Sequence, residues 1–214
     1  ANGGDAVRAI ASLPALTGSW RLPGGGIFQH PQGTFPINRN ALTNPQFVED
    51  SRNSVNLFDL ASALSPDAVV PIKSLFVYNA NPVIAAANQI KLLENFCRED
   101  LFTVVSEIFQ TDTCDYADIL LPATSQIEQK DLMYSWGHYN IQYNQKAIEP
   151  LGEAVSNTEL FRRLAQVFLF GDDVFTRDDD EIMSKAMLWD HKNLDGITLQ
   201  SISEQGFARL NVGD

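Results

Sequence analysis

Three short runs that are apolar on both faces constrain this chain most: Ser74 to Tyr78 (SLFVY), Leu101 to Val105 (LFTVV) and Asp118 to Leu121 (DILL). A strand with one wet face alternates apolar and polar residues, whereas a strand covered on both faces has no need to. Between the first two runs lies a helical stretch from about Val83 to Cys97, the crossover that parallel neighbours require. The expected fold class is therefore α/β, an open and mostly parallel sheet with helices on both faces.

The flanks extend this pattern. From Asp5 to Leu16, the residues Ala6, Val7, Ile10, Leu13 and Leu16 recur at threes and fours, predicting an amphipathic helix that stops at Gly18. Residues 18–54 read as one long loop, rich in glycine (Gly24, Gly25, Gly26, Gly33) and proline (Pro31, Pro36, Pro45). Such a loop is expected to wrap a ligand or a missing neighbour. Asn56 to Leu64 predicts a short helix with Asn56 as N-cap, and Met133 to Gln145 an antiparallel or irregular excursion. Ser156 to Leu169 reads as a helix with Ser156 and Glu159 as a capping box and Leu160, Phe161, Leu164, Val167 and Phe168 as its buried face. Asp178 to Trp189 reads as an acidic-fronted helix.

Charge and side-chain inventory exclude several functions. Fifteen Lys and Arg against 27 Asp and Glu give a net charge of -12, the wrong sign for gripping a nucleic acid backbone. Hydrophobic residues make up 44%, enough for a folded core. No apolar run approaches the ~20 residues of a membrane span, so none is expected. Cys97 and Cys114 provide neither a disulfide framework nor a C-x-x-C pair, so a reducing compartment is the default and no zinc or iron-sulfur centre is expected here. His30, His138 and His191 lack ligand spacing and read as surface or structural residues. There is no G-x-S-x-G for a hydrolase and no G-x-G-x-x-G for a conventional NAD site. The carboxylates from Asp172 to Glu181 lack EF-hand spacing and read as a solvated helix start.

In an open parallel sheet, ligands gather at the carboxyl ends of the strands. Asn79 and Asn81 follow the first run, Ser106 and Glu107 the second, and Pro122, Ala123, Thr124 and Ser125 the third. Amides there can reach a ring or ribose edge, and a carboxylate can accept paired N–H donors from a guanine or the hydroxyls of a ribose. Each also has a plain reading: Asn81 before Pro82 starts a turn, and Glu107 is a solvated strand end.

Residues Thr111 to Glu128, TDTCDYADILLPATSQIE, resemble a signature of the prokaryotic molybdopterin oxidoreductases, the dimethyl sulfoxide reductase family. Its small residues fall at Thr111, Thr113, Cys114 and Ala117, followed by Asp118, Leu121-Pro122, Thr124, Ser125 and Glu128. The opening NGGDAVRAIASLPALTGSWRLPGGG and the segments FVYNANP and FTVVSEIF are also similar to that family, so the resemblance covers roughly residues 2–170.

The resemblance implies a single Rossmann-like, dinucleotide-binding α/β domain over residues 1–214, similar to the third domain of the family's enzymes. That domain holds the guanine dinucleotide part of one molybdopterin cofactor of the bis(molybdopterin guanine dinucleotide) molybdenum centre. Carried over by motif, the cofactor contacts are Asn81, Ser106 and Glu107. Gln129 falls where some members place a Lys, and Asn157 where some place an Asp before the last helix.

The metal ligand, the iron-sulfur cluster and the C-terminal barrel belong to other domains of such enzymes, so Cys114 is no metal ligand. With Ala1 rather than Met at the start, the expectation is a piece of a longer oxidoreductase, inactive by itself and empty of the parent's cofactor. Its expected partners are the parent's remaining domains and electron-transfer subunits. The expected compartment is the cytoplasm, with the periplasm open for the parent. The alternative is a structural homologue without molybdenum, like the large iron-sulfur subunit of NADH dehydrogenase.

Overall fold

Three parallel strands stand where the apolar runs predict them: β1 (Ser74–Tyr78), β2 (Phe102–Glu107) and β3 (Ile119–Pro122), in that spatial order. The register pairs Ser74 with Phe102 and Tyr78 with Ser106, then Val104 with Ile119 and Glu107 with Pro122. Ser106 and Glu107 are thus the last residues of β2, not the first of the loop beyond it. The computed structural model describes residues 3–28, 32–48 and 54–213.

The helices are α1 (Gly3–Thr17), α2 (Arg39–Thr43), α3 (Leu60–Ala63), α4 (Pro82–Ala85), α5 (Gln89–Phe96), α6 (Asn157–Val167), α7 (Asp179–Lys185) and α8 (Leu199–Gln205). A second sheet holds β4 (Asp131–Tyr134), β5 (Asn140–Asn144) and β6 (Phe207–Arg209), with β5 and β6 antiparallel. The excursion after the parallel strands is therefore antiparallel in part. No helix among the described residues is long and apolar enough to cross a membrane.

Contacts divide the chain into two compact units, Ala1–Ile37 with Met133–Gln142 and Leu188–Asp214, and Asn38–Leu132 with Tyr143–Met187. The second contains the parallel sheet. On one face, Leu75 packs with Ala61, Leu64, Leu92 and Phe96 from α3, α5 and their flanks. On the other, Phe76 and Tyr78 meet Phe161 of α6, at ring-centroid distances of 6.3 and 5.1 Å. Period-two alternation along β1 separates these two sets. In the first unit, Phe35, Ile141, Leu194, Ile202 and Leu210 are buried, and Asn193 Nδ2 donates to the carbonyl of Thr34.

Several local expectations are corrected. The helix expected from Val83 to Cys97 is broken into α4 and α5, because Asn88 takes a left-handed conformation (φ 57°) that interrupts α-helical bonding. The long loop carries α2 and 3₁₀ turns at Ser19–Arg21, Gln32–Thr34 and Pro45–Phe47, segments too short to show a hydrophobic period. Of the face assigned to the helix after Ser156, Leu160 is buried, but Phe161, Val167 and Phe168 are exposed. Periodicity shows which residues share a face, not whether anything covers it. The same holds for α1, where Val7, Ile10, Leu13 and Leu16 are all exposed. The acidic-fronted helix is also shorter than expected, ending at Lys185.

Candidate functional site

At the carboxyl end of β1 the chain turns through Asn79, whose positive φ of 49° suits a short amide, and its N–H donates to the carbonyl of Ser106 (3.2 Å). Asn81 then starts α4, its backbone carbonyl accepting from Ile84 and Ala85 N–H, while its Oδ1 accepts a hydrogen bond from Thr113 Oγ1 (2.7 Å). That hydroxyl also accepts from Val83 N–H (3.2 Å), so the side chain of Asn81 is fixed from the third strand's approach. Ser106 is 1% exposed, and its Oγ has no hydrogen-bond partner. Glu107 Oε1 accepts from the N–H of Ile108 (2.8 Å), which orients the half-buried carboxylate at the strand end. Asn81, Ser106 and Glu107 therefore sit together at the ends of β1 and β2. Strand alternation places the Ser106 side chain on the Tyr78 face and that of Glu107 on the opposite face.

The other two expected residues line separate clefts. Asn157 opens α6 and lines a cleft of about 310 Å³ with Tyr78, Phe161, Phe175 and Arg177. Tyr78 and Phe161 meet edge to face, their rings inclined at 76°. Asn157 Oδ1 and Arg177 Nε are buried there without hydrogen-bond partners. Burial pushes the Tyr78 phenol above its ordinary pKa, against a smaller opposing effect of the Asn79 side chain.

Gln129 lines a larger polar cleft of about 570 Å³, and its Oε1 accepts from Thr124 Oγ1 (2.7 Å). The cations of that cleft are paired: Lys130 with Asp180 (2.9 Å), Arg163 with Glu159 (2.7 Å), and Arg162 with Glu159 (3.0 Å) and Asp179 (3.1 Å). Arg162 lines both clefts. Sequence reasoning missed Tyr78, Phe161, Arg162 and Arg177. Tyr78 offered the one readable signal, a polar-tipped aromatic ending an otherwise apolar run. Among the described histidines, His138 and His191 accept backbone N–H groups through Nδ1, from Asn140 and Asn193. His30 lies outside the described residues.

The residues from Thr111 to Glu128 hold these strand ends in place. Asp118 Oδ2 accepts from the N–H of Thr103 (2.7 Å), joining the start of β3 to β2. Cys114 is buried beside Val77 and Val105, a packing role. Glu128 Oε2 accepts from both Ser125 N–H and Ser125 Oγ (2.7 Å each), and Oε1 from Leu151 N–H (2.8 Å). The Ser125 hydroxyl first, then these backbone donors, hold the Glu128 carboxyl below the ordinary carboxylate range. An acid just before β3 and a capping box just after it thus hold the turns on either side of that strand.

A family model described as molybdopterin oxidoreductase matches residues 1–167. The chain belongs to this family. It is 41% identical over 211 residues to "Probable oxidoreductase YoaE" of Bacillus subtilis, an alignment covering 97% of this chain and 31% of that protein. It is 29% identical over 191 residues to a formate dehydrogenase subunit alpha of Methanocaldococcus jannaschii, covering 80% of this chain and 28% of the relative. Acetylene hydratase from Pelobacter acetylenicus shares the fold, with a TM-score of 0.56 at 24% identity over 72% of this chain and 21% of that one. The chain therefore spans less than a third of the length of these relatives.

Proposed function

We propose that this chain is the part of a molybdopterin oxidoreductase that holds the guanine dinucleotide end of one pterin cofactor. One observation carries the reading: two buried polar atoms, Ser106 Oγ and Asn157 Oδ1, lack hydrogen-bond partners around the end of β1. Ser106 is in register with Tyr78, and Asn157 lines the same cleft as Tyr78. A buried polar atom without a partner costs free energy that a ligand's donor or acceptor offsets on binding.

The remaining groups fit the same ligand. Glu107, at the end of β2, suits the paired hydroxyls of a ribose, and Tyr78 with Phe161 offers aromatic surface to the base. Asn81, fixed by Thr113, supplies an amide at the strand end. Amides and hydroxyls suit an anionic dinucleotide in a chain of net charge -12, where attraction by the whole molecule has the wrong sign. Gln129 lies in the polar cleft and completes the proposed contact set from the β3 side.

When bound, the molybdenum cofactor supplies two-electron redox chemistry, while these residues bind and orient its nucleotide end. Turnover belongs to the whole enzyme, whose other domains and electron-transfer subunits are the proposed partners. Any iron-sulfur cluster is proposed to lie outside these residues.

Calorimetric titration with GDP as the probe tests the reading. Glu107→Ala should weaken binding roughly tenfold, the worth of a charge-assisted hydrogen bond, and leave the unfolding midpoint unchanged. Unchanged GDP affinity in that variant would remove Glu107 from the site. Metal analysis of the intact parent should find molybdenum or tungsten. Finding neither favours the structural homologue without the metal.

A further inference from the structure

The first compact unit carries an open cleft of about 400 Å³, lined by Phe28, Gly137, His138, Tyr139, Asn140 and Arg209, all of them residues of that unit. The register of β5 and β6 sets Asn140 opposite Arg209. Cross-strand partners project from one face with their Cβ atoms about 5 Å apart, so the amide and the guanidinium can reach one ligand.

The polar groups of this cleft are donors. His138 Nδ1 accepts from the N–H of Asn140 (3.2 Å), so in the neutral ring the proton sits on Nε2, which then donates. Arg209 is exposed, and its guanidinium forms no ion pair among the described residues, in a chain where 27 carboxylates face 15 Lys and Arg. No carboxylate stands among the described residues that line the cleft. The polar cleft beside Gln129 differs, because its Lys130, Arg162 and Arg163 are already paired with acids. A guanidinium, an imidazole N–H and an amide N–H with no acid between them favour an anion.

Charge and shape narrow the class. One guanidinium balances a single negative charge and leaves a phosphate dianion under-compensated in a chain of net charge -12. Its planar fork matches the two oxygens of a carboxylate. Phe28, 62% exposed at the same cleft, offers apolar surface to the rest of such a molecule. We propose that this cleft binds an organic monocarboxylate, with the carboxylate on Arg209, His138 and Asn140 and the apolar part against Phe28. The site shares no residue with the proposed nucleotide site and does not depend on it.

Amide NMR titration of the isotope-labelled 214-residue chain with benzoate, acetate and inorganic phosphate tests the proposal. Benzoate should shift the Asn140 and Arg209 signals saturably and bind at least about threefold more tightly than acetate, because its ring covers Phe28. Arg209→Gln should weaken benzoate about tenfold, the worth of a charge-assisted hydrogen bond, with the urea midpoint unchanged. Asn140→Asp, which sets an acid opposite the fork, should weaken it by a similar factor. Unchanged benzoate affinity in a folded Arg209→Gln chain overturns the assignment of Arg209. Phosphate binding more tightly than benzoate overturns the ligand class, and acetate binding as tightly as benzoate overturns the role of Phe28. The absence of any saturable shift with benzoate overturns the site itself.

Discussion

The Thr113 hydroxyl donates to Asn81 Oδ1 and accepts from Val83 N–H, while the residue itself is fully buried. Thr113→Val keeps the shape and removes both bonds, leaving a buried N–H unpaired. The expected cost is about 1–3 kcal/mol in urea unfolding, together with weaker GDP binding as Asn81 loses its anchor. Ser106 predicts the opposite balance. Its Oγ has no partner in the fold, so Ser106→Ala should leave stability unchanged or raise it, while calorimetry records weaker GDP binding. A clear loss of stability would mean that the hydroxyl serves the fold. At this scale Asn81, Ser106 and Glu107 were legible because polar residues that end apolar runs stand out. Tyr78 and Phe161 were not, because an aromatic in an apolar pattern reads as core.

Secondary-structure elements separate what a pattern specifies from what packing completes. Ser156 Oγ accepts from Glu159 N–H (3.2 Å), so the expected N-cap of α6 is present. The reciprocal half of the expected capping box is not seen, since Glu159 pairs with Arg162 and Arg163 instead. Ser156→Ala should cost about 1 kcal/mol in denaturant unfolding and loosen the first turn, which carries Asn157. Leu92 of α5 is fully buried and Leu16 of α1 is 81% exposed, although both lie on apolar stripes. Leu92→Ala should cost about 2–5 kcal/mol, whereas Leu16→Ala should stay within about 0.5 kcal/mol. Thermal unfolding of the two variants side by side distinguishes them. The apolar runs marked the parallel strands because each is a local pattern, while the break at Asn88 depends on one residue's backbone conformation.

Across the whole molecule, acid should weaken the fold through carboxylates whose pKa is lowered by their partners. The Ser125 hydroxyl lowers Glu128, Arg163 lowers Glu159 and Lys130 lowers Asp180. Unfolded carboxylates titrate near 4, so these groups favour the folded state above that pH. Their contribution is lost as the pH falls through the lower folded values. The urea midpoint should accordingly decline from pH 6 to pH 3, and a midpoint that holds steady would show these pairs to be screened at the surface. By itself, the sequence determined the parallel strands, the polar groups at their ends and the family signature. All three are properties of neighbouring residues, fixed by alternation, turn chemistry and spacing. Only the tertiary structure decided which apolar faces are covered and that Tyr78 and Asn157 share a cleft. Those outcomes join residues distant in the chain, and local periodicity carries no information about which distant surfaces will meet.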